Sequence, residues 1–272
     1  MTPAGTQGCR RVRVGGTASV GAMCGRFVSS STPEKIAEYF GATFDGETLG
    51  ENHNVAPTND IYAVVAGPDG QPRLEVFHWG LIPVWAKDAK VGQKMINARA
   101  ETLATKPVYK GVFKKHRCLI PMDGFFEWRA GEPGGPLTKA GKLAKQPMYI
   151  DRLDGEPLAV AGLWSAWKDR SADGADWLHS ATVVTTSANG TMRPIHDRMP
   201  VILPRSAWDT WLDPANDDLD SLSGLLLPAS DSLLTVHPVS TDVNNVRNNG
   251  EQLIAEAPPG GQLPAAATLP LA

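Results

Sequence analysis

Apolar positions along this chain fall mostly into short runs closed off by turn residues, the pattern of many brief strands rather than long helices. Two such runs, at 61–66 and 74–78, flank Gly67-Pro68-Asp69-Gly70 and predict a pair of strands around a turn. Further strands are predicted at 118–121, 125–128, 148–151, 158–163, 181–185 and 234–238. Helices are few. Thr32-Pro33-Glu34 supplies an N-cap, a proline at N1 and an acid in the first turn, so a helix should run from Pro33 to Phe40. Stretches 206–212 and 217–226 also read as helical, and 98–103 is a candidate with Asn97 as its cap. The Gly/Pro/Lys-rich stretch 130–146 predicts a long exposed hairpin loop. There is no internal repeat.

Residues 1–22 show neither helical nor strand period, and Met23 opens the first segment with globular character. From Glu256 onward the Ala/Pro/Gly composition reads as disordered. The expected organisation is a leader or mis-assigned start at 1–22, one α+β domain dominated by antiparallel β-sheet at 23–249, and a disordered tail at 250–272. At 272 residues the chain can bury one sizeable core.

Charge refines this picture. The net charge of −3 speaks against a nucleic-acid partner until its distribution is considered. Residues 205–272 hold nine acids and two bases, so residues 24–204 are near neutral. Within them Lys106, Lys110, Lys114, Lys115 and Arg117 cluster between Arg99 and Arg129, against Glu101, Asp123 and Glu127. Such a patch suits phosphates; a solvated face is the alternative. The three cysteines, Cys9, Cys24 and Cys118, are an odd number without close pairs, which excludes a disulfide framework or zinc knuckle and fits a reducing compartment. No stretch approaches a membrane span, and no apolar region follows the three leader arginines as in a secretory signal. The expected address is the cytoplasm, associated with the nucleoid, and nothing points beyond a monomer.

Four polar residues occupy settings that could carry chemistry. Cys24 follows a methionine at the start of the globular part; Asn97 precedes Arg99 and Glu101. Glu127 lies within Gly124-Phe125-Phe126-Glu127-Trp128, where an apolar strand would bury it. His196 lies in a loop bounded by Pro194 and Pro200. Singly, each has a structural explanation: a small buried thiol, a helix cap, an ion pair with Arg99 or Arg129, a loop hydrogen-bonder. Cys24, His196 and Glu127 have no metal-ligand spacing, so no metal or cofactor is expected.

Together the residues resemble a family. Met23-Cys24-Gly25-Arg26-Phe27, Asn54-Val55-Ala56-Pro57-Thr58, Trp79-Gly80-Leu81-Ile82-Pro83-Val84-Trp85-Ala86 and Asn97-Ala98-Arg99-Ala100-Glu101-Thr102 resemble signatures of the SRAP domain. So do Arg117-Cys118-Leu119-Ile120-Pro121, Gly124-Phe125-Phe126-Glu127-Trp128, Ala161-Gly162-Leu163-Trp164 and His196-Asp197-Arg198-Met199-Pro200, in the family's order. The resemblance implies an irregular, barrel-like sheet with short flanking helices. It also implies recognition of abasic sites in single-stranded DNA and a covalent cross-link through an N-terminal cysteine. On that reading Cys24 is the nucleophile, Glu127 and His196 transfer protons, and Asn97 positions the cysteine backbone and the opened sugar. Arg26, Arg99 and Arg198 would hold phosphates, and Pro57, Trp79 and Trp85 would wedge or stack against bases, with the core as the alternative for either tryptophan. Binding should be salt-sensitive and nearly blind to sequence.

One departure matters. In the family pattern the cysteine directly follows the initiator methionine, whereas Cys24 follows 23 residues. Either translation starts at Met23 or the leader is cut before Cys24; otherwise the amine is blocked. Two rivals remain: a thiol peptidase or autopeptidase with Cys24 and His196 as nucleophile and base, and a non-covalent single-strand binder.

Overall fold

The computed structural model describes residues 24–138, 140–171 and 176–258, and the expected leader lies outside them. β1 (Phe27–Ser29) leads into α1 (Pro33–Phe40), which starts as the sequence predicts, Thr32 Oγ1 accepting from the Lys35 amide. α1 ends at Gly41, whose φ of 64° a β-carbon would resist, and its buried residues include Ile36, Ala37 and Phe40. β2 (Asn52–Val55) returns beside β1, and β3 (Asp60–Ala66) and β4 (Pro72–Trp79) form the predicted hairpin. β5 (Asn97–Arg99), α2 (Pro107–Lys115), β6 (Arg117–Met122) and β7 (Gly124–Arg129) follow. The predicted long loop joins β7 to β8 (Gln146–Arg152); next come β9 (Leu158–Trp167) and β10 (Leu178–Ser187). β11 (Arg198–Pro200), α3 (Trp208–Leu212), α4 (Leu219–Gly224) and β12 (Leu234–Pro238) complete the order.

β10, β4, β3, β6 and β9 pair in that order, and β9 pairs back to β10, so five strands close into a barrel. A second, antiparallel sheet runs β12-β8-β7-β1-β2. Barrel residues Ile61, Phe77, Ile120, Val160 and Val183 share one apolar cluster with Phe27, Phe125 and Ile150 of the second sheet. A second cluster joins the other face of the barrel strands (Tyr62, Val64, Leu119, Ala161) to Phe40 of α1, Phe113 of α2 and Trp211 of α3. The fold is thus the α+β, sheet-dominated single domain that was expected.

Several local readings are corrected. The alternative helix over 98–103 does not form. Asn97–Arg99 instead pairs with Val183–Thr185 of β10, and only a single 3-10 turn follows at Ala100–Thr102. The edge of β10 offers backbone partners there that a short helix would forgo. The stretch expected only as part of a basic patch forms α2: Pro107 opens it, and Tyr109 and Phe113 bury one face four residues apart. β2 was too polar to recognise: Asn54 is buried because its side-chain amide donates to the carbonyls of Val243, Asn245 and Asn248. Of the tail expected over 250–272, residues 259–272 lie outside the described residues, and the part that is described is packed. Leu253 is buried and the Ala257 amide donates to the Pro238 carbonyl, so residues 250–257 belong to the packed domain.

Arg117 is also not a surface cation. Only 2% exposed, it donates to the carbonyls of Phe113 and Lys114 at the end of α2, and of Trp211, Asp213 and Asn216 around the end of α3. A cation at two helix C-termini answers both dipoles and their unpaired carbonyls. Arg117→Ala should therefore cost about 3 kcal/mol, lowering Tm by roughly 6–12 °C in a thermal melt.

Candidate functional site

The β1–β7 ladder builds the centre of the site. Phe27 pairs with Phe125, and continuing that antiparallel register brings Gly25 opposite Glu127. Cys24 is therefore delivered onto Glu127, and its backbone nitrogen donates to Glu127 Oε1 at 2.5 Å. Both residues are buried, at 0% and 3% exposure. Burial pushes the Glu127 carboxyl above the usual carboxylate range, while the Cys24 N–H and the nearby His196 act against that rise. The Cys24 thiol is driven well above its ordinary value, first by burial and then by the Glu127 charge. Cys24 also sits at φ 42°, a left-handed backbone that costs a residue with a β-carbon about 1–3 kcal/mol.

His196 ends a helical turn in which its amide donates to the Met192 carbonyl, and the Asn189 side chain accepts from the Met192 amide. That turn is pinned to the segment before β12: Asn189 Nδ2 donates to the Ala229 carbonyl and the Gly190 amide to Asp231. The Arg198 amide donates to His196 Nδ1 at 3.1 Å, which leaves Nε2 to carry the proton in the neutral ring. Nδ1 also lies 3.0 Å from Asp197 Oδ1. Asn97 opens β5, level with Val183 of β10, and Tyr109 Oη donates to its carbonyl at 3.5 Å.

The residues expected to contact DNA divide. Trp85 is 68% exposed and Arg99 is exposed. Pro57 precedes Thr58, whose φ of 72° and amide bond to the Trp79 carbonyl hold this turn at the barrel's end. Trp79 is a core residue instead: wholly buried, edge-on to Phe27 at 5.1 Å, with its indole N–H donating to the Ile96 carbonyl. It cannot stack on a base without unpacking the barrel. Arg26 lies over the Trp128 ring and donates to Asn54 and to the Val243 carbonyl, so this cation already holds residues 243–248 in place. Arg198 is engaged by Glu101 and the Thr185 carbonyl. Sequence reasoning missed Asn54 and Glu101 as architectural residues. The signal was available in Glu101, a lone acid among bases close to Arg99. Among the described residues no group of three or more His, Cys, Asp or Glu is placed to hold a metal, and no helix is long and apolar enough to cross a membrane.

The family model described as SOS response associated peptidase (SRAP) matches residues 23–246. The abasic site processing protein YoqW of Bacillus subtilis is 40% identical over 235 residues, covering 85% of this chain and 99% of that protein. YoaM of the same organism, likewise named an abasic site processing protein, is 38% identical over 234 residues, 85% of this chain and 97% of its own. A crystal structure of a Bacteroides thetaiotaomicron protein superposes with a TM-score of 0.74 at 25% identity, covering 86% of this chain and all of that one. With a family match across the whole barrel and both sheets, this chain belongs to the SRAP family.

Proposed function

We propose that this protein recognises abasic sites in single-stranded DNA and joins them covalently through Cys24 once that residue is the N-terminus. The observation that carries this reading is the 2.5 Å contact between the Cys24 backbone nitrogen and the buried Glu127 carboxyl. A carboxyl so placed can take a proton from an α-ammonium and return it to a leaving hydroxyl. Relatives named as abasic site processing proteins support the substrate.

The chemistry proceeds in the order the site favours. An α-amine, with an ordinary pKa of about 7.7–8.0, is neutral far more often near pH 7 than a lysine, so it attacks the C1′ aldehyde of the opened sugar. Proton transfer through Glu127 and His196 expels the hydroxyl as water and leaves an imine. The Cys24 S–H then adds across the C=N bond, sulfur to carbon and hydrogen to nitrogen, closing a thiazolidine; one water is lost overall. A thiol held protonated is a weak nucleophile, so ring closure needs its proton to leave as sulfur bonds to carbon. Releasing the peptide bond before Cys24 would also lift the positive-φ constraint.

Arg99 is the accessible phosphate ligand in this reading, and Trp85 the stacking platform. Trp85→Ala should weaken binding to single-stranded DNA by about 1–3 kcal/mol, read by fluorescence anisotropy, without changing Tm. Trp79→Ala should do the reverse, lowering stability by about 3–5 kcal/mol through the cavity it leaves. The direct test of function is a denaturing gel. The chain started at Met23 should give a shifted band with a single-stranded oligonucleotide bearing one abasic site. The chain retaining residues 1–23 should not, unless the leader is cut away. No stable band with either form would refute the covalent reading.

A further inference from the structure

Arg198 and Glu101 sit on opposite flanks of β10. Thr185 pairs with Arg99 on one side and with Pro200 on the other, so β5 and β11 border the same residue. The Arg198 side chain crosses between them: Nη1 donates to Glu101 Oε1, and Nη2 donates to Oε2 at 2.9 Å and to the Thr185 carbonyl at 2.7 Å. The bridge thus spans two inter-strand spacings, about 10 Å, and is tied midway to the strand it crosses. It joins the elements that carry two of the proposed reacting residues. Asn97 lies four residues before Glu101, at the start of β5. His196 lies two residues before Arg198 and accepts the Arg198 amide on Nδ1. A guanidinium fork on a carboxylate fixes direction as well as distance, and Arg198 is only 15% exposed.

Resting on the covalent reading above, we propose that Glu101 is a positioning residue: through Arg198 it sets Asn97 and His196 in register across β10, and so fixes where the opened sugar meets Cys24. Arg198 is then chiefly a bracket. A phosphate seated on the same fork would first have to displace Glu101, whereas Arg99 is exposed and can take a phosphate without that exchange.

The test compares Glu101→Gln, which keeps the volume and loses the charge, with the unmutated protein, each with Cys24 at its N-terminus. Two quantities are measured on an abasic single-stranded oligonucleotide: the cross-linking rate at saturating DNA, and Kd for non-covalent binding in a Cys24→Ala background. A misplaced proton donor should slow the saturated rate by about 10- to 100-fold while Kd and Tm hold. In a His196→Ala background the same Glu101→Gln change should cost clearly less than in the intact protein, because one of the two residues it positions is gone and only its effect through Asn97 remains. Three results would overturn the proposal: a saturated rate equal to that of the unmutated protein, tighter DNA binding with no slowing, or an equal loss with and without His196. The unmutated control separates the two levels, since its failure to cross-link would remove the covalent reading and the positioning role together.

Discussion

Replacing Cys24 by Ala should abolish the adduct that survives denaturation, whereas non-covalent binding to an abasic oligonucleotide should stay within about 3-fold, since affinity rests on phosphate and stacking contacts. The difference follows from bond chemistry. A free α-amine without a neighbouring thiol can still condense with the aldehyde, but the imine hydrolyses when the protein unfolds. Borohydride should therefore recover a band from Cys24→Ala by reducing that imine. Acetylating the α-amine should remove both products, because neither imine nor thiazolidine can start. A Cys24→Ala band as stable as that of the unmutated protein would mean that another side chain forms the bond.

Glu127→Gln should have the second largest effect. Proton transfer from a positioned side chain is typically worth about 10²–10⁴-fold, and a loss in that range is expected in the cross-linking rate at saturating DNA. The pH profile carries the sign. Burial raises the Glu127 carboxyl, so its protonated form persists to higher pH than in an exposed glutamate. Steps that need this acid are available below its raised pKa and fade as pH rises through it. On the acid side the rate falls because the Cys24 amine is protonated. The unmutated protein should thus give a bell, and Glu127→Gln a much lower profile that lacks the alkaline fall assigned to the carboxyl. An unchanged profile would move the acid role to His196.

The sequence was most legible where local pattern and tertiary demand agree. α1 formed between the Thr32 cap and Gly41, and β3–β4 paired around the Gly-Pro-Asp-Gly turn because alternation and turn chemistry point the same way. It was least legible where distant backbone decided the outcome. β5 exists because β10 has an edge free at Val183–Thr185, and β2 is buried because three carbonyls from the 243–248 segment satisfy Asn54. Neither partner is visible from the local residues. In the site, Cys24, Asn97, Glu127 and His196 were singled out by setting and by family resemblance, and the Cys24–Glu127 contact follows from the β1–β7 register. The cations were the weak point. A guanidinium's worth depends on what it faces, and Arg26, Arg117 and Arg198 each face carbonyls or a carboxylate inside the fold. Trp79 and Trp85 illustrate the same limit: six residues apart in one motif, one fills the barrel and the other stands in solvent.

The most direct test of the central claim is the intact mass of the adduct formed between the Cys24-terminated protein and a single-stranded oligonucleotide with one abasic site. The predicted mass is protein plus oligonucleotide less one water, unchanged by borohydride, with the oligonucleotide mapped to the peptide that begins at Cys24. A gain of two hydrogens on reduction would reveal an open imine rather than a thiazolidine. An adduct on any other residue, or none at all, would contradict Cys24 as the residue that bonds to the lesion.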